Sequence, residues 1–194
     1  MITSGPVESF FKSPEDAPSP DGDCVLYHLR VGLEKIYGPE DTQGYIHPTH
    51  VLLATIGILA GLDLLAQAYL ARPSTGNKFV RLLTDLGSLS SDCAEAVYQL
   101  RCGLMHSVSL SAKSQRARPG VIYSYTLTDK LNSTFVQETN DAGKEVQYEL
   151  NVWRLKECFT GVITKLKNIC EAGGDPSILN NVCQISQEKI STSK

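Results

Sequence analysis

Apolar positions recur at intervals of three and four residues along most of this chain, the signature of helices with one buried face. Val25, Leu29, Leu33 and Ile36 mark a helix over residues 24–37, stopped by Gly38 and Pro39. A second helix starts near Pro48, which suits a first turn, with Thr49 as a cap if the start is slightly later, and it ends before Pro73. Phe79, Leu82, Leu83 and Leu86 make a short amphipathic helix ending at Gly87. Ser91 or Asp92 is placed to cap the next helix, whose stripe is Cys93, Val97, Leu100, Leu104 and Val108. Trp153, Cys158 or Phe159, Val162, Ile163, Leu166 and Ile169 define a long helix closed by Gly173 and Gly174, and a last one spans about 176–190.

Between these helices the period changes. Residues 111–120 break the pattern with charge, Pro and Gly, and residues 121–127, 133–138 and 145–150 are rich in β-branched and aromatic side chains. With a turn over Asn140, Asp141, Ala142 and Gly143, they predict a small antiparallel sheet or hairpin laid on the helices around 120–150. Residues 1–22 carry Pro6, Pro14, Pro18 and Pro20 among Ser, Glu and Asp, and predict a flexible lead-in, with Phe10 and Phe11 as possible anchors. The expected organisation is therefore a lead-in over 1–22, one mainly α domain over 23–190, and a polar tail over 191–194.

Composition narrows the function classes. The 194 residues are 42% hydrophobic and 20% charged, with a net charge of −3, ordinary for a globular protein and not for a polyanion binder. Any nucleic-acid contact must come from a local basic patch. Six cysteines at 24, 93, 102, 158, 170 and 183 form no CxxC pair, so they read as reduced thiols in a reducing compartment. The N-terminus has no basic region followed by an apolar one, which makes a cytoplasmic location the expectation.

Residues 51–71 are nearly long enough to span a bilayer, but Asp63 lies inside the stretch, at roughly 2.5–3.5 kcal/mol near a bilayer centre, and Gln67 adds to the cost. A buried core helix is the expectation, with no membrane partner. Gly57 and Gly61 strip one face of this helix, which suits either local packing or close approach of a second subunit.

Motif chemistry is sparse. There is no Gly-rich phosphate loop, no GxSxG elbow and no HExxH. His47 and His50 lack a nearby third ligand and read as a polar helix start, so neither a metal nor a cofactor is expected. What stands out is Arg101 and His106, two cationic groups among Leu100, Leu104 and Met105. Five residues on a helix is about 500° of rotation, leaving about 140° between the side-chain directions. The two can converge only by reaching around the helix, or by meeting counterparts across a two-fold axis.

Arg101 and His106, with four residues between them, match the Arg-(four to six residues)-His signature of the HEPN superfamily. The segments Gly61-Leu62-Asp63-Leu64-Leu65-Ala66, Gly76-Asn77-Lys78-Phe79-Val80-Arg81 and Val97-Tyr98-Gln99-Leu100-Arg101 through His106 resemble, in order, a group of bacterial HEPN-like proteins. Those proteins carry a Gly-x-Asp-x-Leu-Ala helix, an Arg-Phe segment and a Leu-Tyr-x-Leu-Arg-Asn-x-Leu-x-His helix, followed by a β segment and a final amphipathic helix. The resemblance covers about residues 48–170. It implies an antiparallel HEPN-like helical bundle with a small β insertion around 120–150, and a metal-independent endoribonuclease of toxin or defence type. It further implies a homodimer with the two motifs near its axis, an RNA substrate and an antitoxin-like protein partner. A catalytically silent dimerisation or partner-binding domain of the same fold is the alternative, and a helical regulator binding a small ligand is a third.

Such chemistry needs a base for the 2′-hydroxyl proton and a cation for the phosphorane, roles that suit His106 and Arg101. Cys102 stands where the family carries Asn or another polar group, and a thiol is a poor donor. Asp63, flanked by Leu62, Leu64 and Leu65, needs a partner if buried, and Arg101 is the natural one. Two readings stay open here: a structural ion pair between helices, or an aspartate that positions the arginine of a working site. Lys113, Arg116 and Arg118 follow the motif with no acidic residue between Glu95 and Asp129, so a phosphate backbone could track them; a solvated loop is the plainer reading. Tyr123 and Tyr125, alternating on one strand face, suit either base stacking or packing on a helix.

Overall fold

A computed structural model describes residues 4–19, 22–37, 48–71, 75–115, 118–129, 135–141, 143–187 and 189–190. The chain opens with helix α1 (Ser4–Phe10) and strand β1 (Asp23–Cys24), then runs through α2 (Val25–Tyr37), α3 (Pro48–Leu70), α4 (Gly76–Asp85) and α5 (Ser91–Ser107). Strands β2 (Ser111–Lys113), β3 (Ile122–Thr128), β4 (Val136–Asp141) and β5 (Glu145–Asn151) follow, and α6 (Val152–Glu171), α7 (Pro176–Ser186) and β6 (Lys189–Ile190) close the fold. The protein is mainly helical with a small sheet.

Helix α3 is the hub, packing against α2, α4, α6 and α7. Its Ala54, Ile58, Leu59, Leu62, Leu65 and Ala66 have no exposed surface. By length and composition it is the one described helix apolar enough to cross a membrane, and half of that window is buried against its neighbours. A helix surrounded by others needs apolar side chains on more than one face, which is why it passes a membrane test by composition.

The glycines of α3 serve packing inside this chain. Leu33 of α2 lies over Gly57, at 3.5 Å from where a Cβ would stand. The Phe159 ring of α6 lies against Gly61, with atoms 2.6 and 2.8 Å from the Cβ position. Phe159 is itself buried, so its ring has little room to yield. Gly61→Ala is therefore expected to cost about 1–3 kcal/mol, read from the urea midpoint, with part of the loss recovered by adding Phe159→Leu.

Caps fix the helix ends. Ser90, rather than Ser91 or Asp92, caps α5, its hydroxyl accepting from the Cys93 N–H at 3.3 Å. The buried Asn151 side chain accepts from the Trp153 and Arg154 N–H groups and starts α6 directly out of β5. Asp175 does the same for α7, with Pro176 in the first turn. Lys165 donates to Leu86 O at 2.8 Å and to Ser88 Oγ at 2.7 Å, satisfying the chain as it leaves α4.

The sheet departs from the expected antiparallel hairpin. Its order is β2-β3-β5-β4, with β3 and β5 parallel and the other two pairings antiparallel. Burial accounts for the order: β5 presents Val146 and Leu150 to the core and takes a central place, whereas the polar β4 takes an edge. Of the residues predicted to turn, Asn140 and Asp141 belong instead to β4, paired with Gln147 and Val146 of β5, and Gly143 follows at φ +79°; Ala142 and the Gly38–Pro39 stop lie outside the described residues.

The ends of the chain also differ from expectation. Within the lead-in predicted over 1–22, α1 packs on α7, and Phe10 and Phe11 are buried. The last predicted helix stops at Ser186, and β6 pairs antiparallel with β1. A polar clasp holds the segment between α1 and α2. Lys12 Nζ donates to Asp23 Oδ1 and Ser19 Oγ, both at 2.8 Å, Arg30 donates to Lys12 O at 2.6 Å, and the Tyr27 hydroxyl donates to Asp16 O at 2.9 Å. Those anchors compensate for a segment whose prolines and small polar residues would not order it alone.

Burial pushes the Asp23 carboxyl up, but the Lys12 ammonium and the Ser19 N–H and hydroxyl outweigh it and hold the group below its ordinary 3.8. A carboxyl lowered by folding contributes stability in full above its unfolded value and loses it as pH falls through the folded value. The stability gap between wild type and Asp23→Asn should therefore be widest near neutrality and close below about pH 4, in urea titrations across pH.

Candidate functional site

Asp63 on α3 and Arg101 and His106 on α5 come together where the two helices approach. Arg101 Nη2 donates to Asp63 Oδ2 in an ion pair whose side chains are 19% and 17% exposed, respectively. Arg101 Nη1 lies 3.4 Å from His106 Nε2. The 140° separation on the helix wheel is thus closed within one chain by the length of the arginine. His106 is exposed in the last turn of α5, while Arg101 lies along the helix surface half-buried.

The pairing has a preferred tautomer. A guanidinium has only donors, so this contact is a hydrogen bond in the neutral tautomer that carries its proton on Nδ1 and leaves Nε2 bare. Burial works against the Arg101 charge, while Asp63 and the Cys102 sulfur favour it; the balance raises the arginine pKa and keeps the group charged. Arg101 Nε is buried without a hydrogen-bond partner.

The end of α5 is shaped by one glycine. After His106 the chain turns through Val108 in the left-handed region, φ 51°, and Ser109 N donates back to Gly103 O at 3.1 Å. The chain then crosses over Gly103, whose absent Cβ would lie 2.6 Å from Ser109 O and 2.8 Å from Ser111 O. This crossing feeds β2 into the sheet directly behind the turn that carries His106. Nothing in the apolar spacing signals it; a glycine between Cys102 and Leu104 was the sole clue. Val108, read as part of the core stripe, is instead 71% exposed, and with Met105 and Leu110 it leaves an apolar rim beside His106.

The basic stretch does not gather at this site as a unit. Lys113 is exposed on β2, opposite Ile122 of β3, and Arg116 lies outside the described residues. Arg118 is half-buried, near enough to the hydroxyls of Tyr123 and Tyr148 to favour their ionisation against a burial that pushes both up. Tyr123 and Tyr125 are buried, each stacked on Tyr148 at 5.7 Å, and the Tyr125 hydroxyl donates to Ala96 O of α5. Tyr125 ties the sheet to α5, and the burial of both rings leaves no free face for a base.

His50 is exposed, and His47 lies outside the described residues; among those residues no three His, Cys, Asp or Glu side chains gather into a metal-binding group. None of the six cysteines is paired.

No family model, curated protein or solved structure matches the chain. What the site can do therefore rests on its own chemistry.

Proposed function

We propose that the chain is a HEPN-like domain acting as a metal-independent endoribonuclease of toxin or defence type, a homodimer in the cytoplasm, with Arg101 and His106 as the catalytic pair. The observation that supports this reading is the convergence of an exposed histidine with a charged arginine fixed by Asp63. His106 Nε2 takes the proton of a ribose 2′-hydroxyl. The 2′-oxygen attacks the adjacent phosphorus, the bond to the 5′-oxygen breaks, and that oxygen takes a proton from solvent. The products are a 2′,3′-cyclic phosphate and a 5′-hydroxyl. Arg101 neutralises charge on the phosphorane, and Asp63 is a positioning residue that sets the plane of the guanidinium. Lys113 and Arg116 are the proposed outer phosphate contacts, with Arg118 contributing less because it is half-buried beside the tyrosines.

One observation favours a catalytically silent dimerisation or partner-binding domain instead. Asp63 already pairs with Arg101, so the site offers little net positive charge to a phosphate, and Cys102 supplies only a weak donor. Incubation of the purified protein in EDTA with RNA containing single-stranded and structured regions separates the two. New ends carrying 2′,3′-cyclic phosphate support the nuclease. RNA left intact by a folded wild type overturns it and favours the silent domain, for which the antitoxin-like partner becomes the object of search.

A further inference from the structure

We propose that the contact between Arg101 and His106 is a resting cap, which a phosphate group opens by drawing the guanidinium away from the ring. For what the freed nitrogen then does, the inference rests on the ribonuclease reading; the cap itself does not.

Three observations carry it. First, Arg101 Nη1 lies 3.4 Å from His106 Nε2, and because a guanidinium can only donate, a hydrogen bond there takes up the Nε2 lone pair, the one a base must use. In the resting protein the base and the phosphate-binding cation thus occupy each other. Second, Asp63 anchors Arg101 through Nη2, which leaves Nη1 as the donor able to exchange one acceptor for another. In the proposed opening Arg101 keeps its bond to Asp63 while Nη1 leaves the ring for the phosphate. Third, no other hydrogen bond to the His106 ring is found among the described residues, and the ring is exposed. A ring held by a single long contact is easily released, and substrate can reach it from solvent. A phosphate oxygen is a stronger acceptor for a guanidinium than a neutral imidazole, because the bond is charge-assisted on both sides. Binding the phosphate and freeing the base then become one event, and the base is uncovered only where a phosphate is present.

The test reads the tautomer of His106 by nitrogen-15 NMR above pH 8 in phosphate-free buffer, with the ring assigned from a His106→Gln spectrum. A free imidazole prefers its proton on Nε2, so a cap predicts the opposite form, Nδ1–H with a bare Nε2. Arg101→Ala should return the ring to the Nε2–H form. The Asp63→Asn/Arg101→Met pair should do the same, and it removes both charges of the ion pair together. Adding inorganic phosphate should shift the wild-type ring signal and leave that of Arg101→Ala in place. An Nε2–H ring in the wild type, or a ring indifferent to Arg101→Ala, overturns the cap. An Nδ1–H ring that phosphate fails to move overturns the opening. Intact RNA alongside a capped ring counts against the nuclease and leaves the cap standing, so the two failures can be told apart.

Discussion

His106→Ala is expected to slow RNA cleavage by about a hundred- to ten-thousand-fold, the usual worth of a positioned general base. Its stability should stay within about 0.5 kcal/mol of wild type, because His106 is exposed and its contact to Arg101 is long. Arg101→Ala is expected to cost about a hundred- to a thousand-fold in rate, as for removal of one donor to a developing oxyanion. It should also cost about 1–3 kcal/mol in stability, since a carboxylate 17% exposed loses its ion pair with Arg101. Asp63→Asn removes the charge but keeps an acceptor, so the rate should fall less than in Arg101→Ala. Initial rates in EDTA, set beside urea unfolding of each variant, check all three. The combination to look for is a large loss of rate in His106→Ala with no loss of stability, which damage to the fold alone would not produce.

Gly103→Ala is the structural counterpart. In a helix the change normally stabilises by about 1 kcal/mol through backbone entropy. Here the new methyl would meet two backbone carbonyl oxygens, Ser109 O at 2.6 Å and Ser111 O at 2.8 Å. Backbone cannot rotate away as a side chain can, so the crossing must lift. With it would go the Ser109 N–H bond to Gly103 O and the register of β2 against β3. A net loss of about 1–3 kcal/mol is expected, together with a fall in cleavage because His106 lies in the turn that moves. Gly161 in α6 provides the contrast, since a Cβ there meets nothing within 4 Å. Gly161→Ala should leave stability unchanged or raise it by up to about 1 kcal/mol, with cleavage intact. Opposite signs at two helical glycines, from urea midpoints and initial rates, would place the cost in the chain crossing and not in helix propensity.

Much of the helical scaffold could be read from spacing because burial imposes a period. Val25, Leu29 and Leu33 announced α2; Phe79, Leu82 and Leu83 announced α4; Trp153 through Ile169 announced α6. Where tertiary contacts outweigh local preference, spacing alone did not reveal the element. Helix α1 holds only seven residues with Gly5 and Pro6 among them, and it is fixed by Phe10 and Phe11 reaching the core. The parallel pairing of β3 with β5 was hidden because composition suggests a strand but not its neighbour. Val108 fits the α5 stripe by period, yet the helix ends before it and turns it outward.

The site was legible to the same degree. Asp63 as the partner of Arg101 followed from a carboxylate among leucines, and the structure joins them. The meeting of Arg101 with His106 was one of two routes that helix geometry left open, and the length of the arginine closes the gap within one chain. Tyr123 and Tyr125 were correctly placed on one face. Which of their two uses applied depended on α5 lying beneath that face, and no residue in the strand states this. The choice at Gly57 and Gly61 likewise depended on where Leu33 and Phe159 would come to rest.

Arg101 and His106 are claimed to work as one unit, and the comparison of Arg101→Ala, His106→Ala and the double variant against wild type for initial cleavage rate in EDTA addresses that most directly. Paired action predicts that the double variant is little slower than the slower single variant, because either loss already disables the unit. Losses that multiply in the double variant, or a wild type no faster than it, would contradict the assignment of these two residues as a catalytic pair.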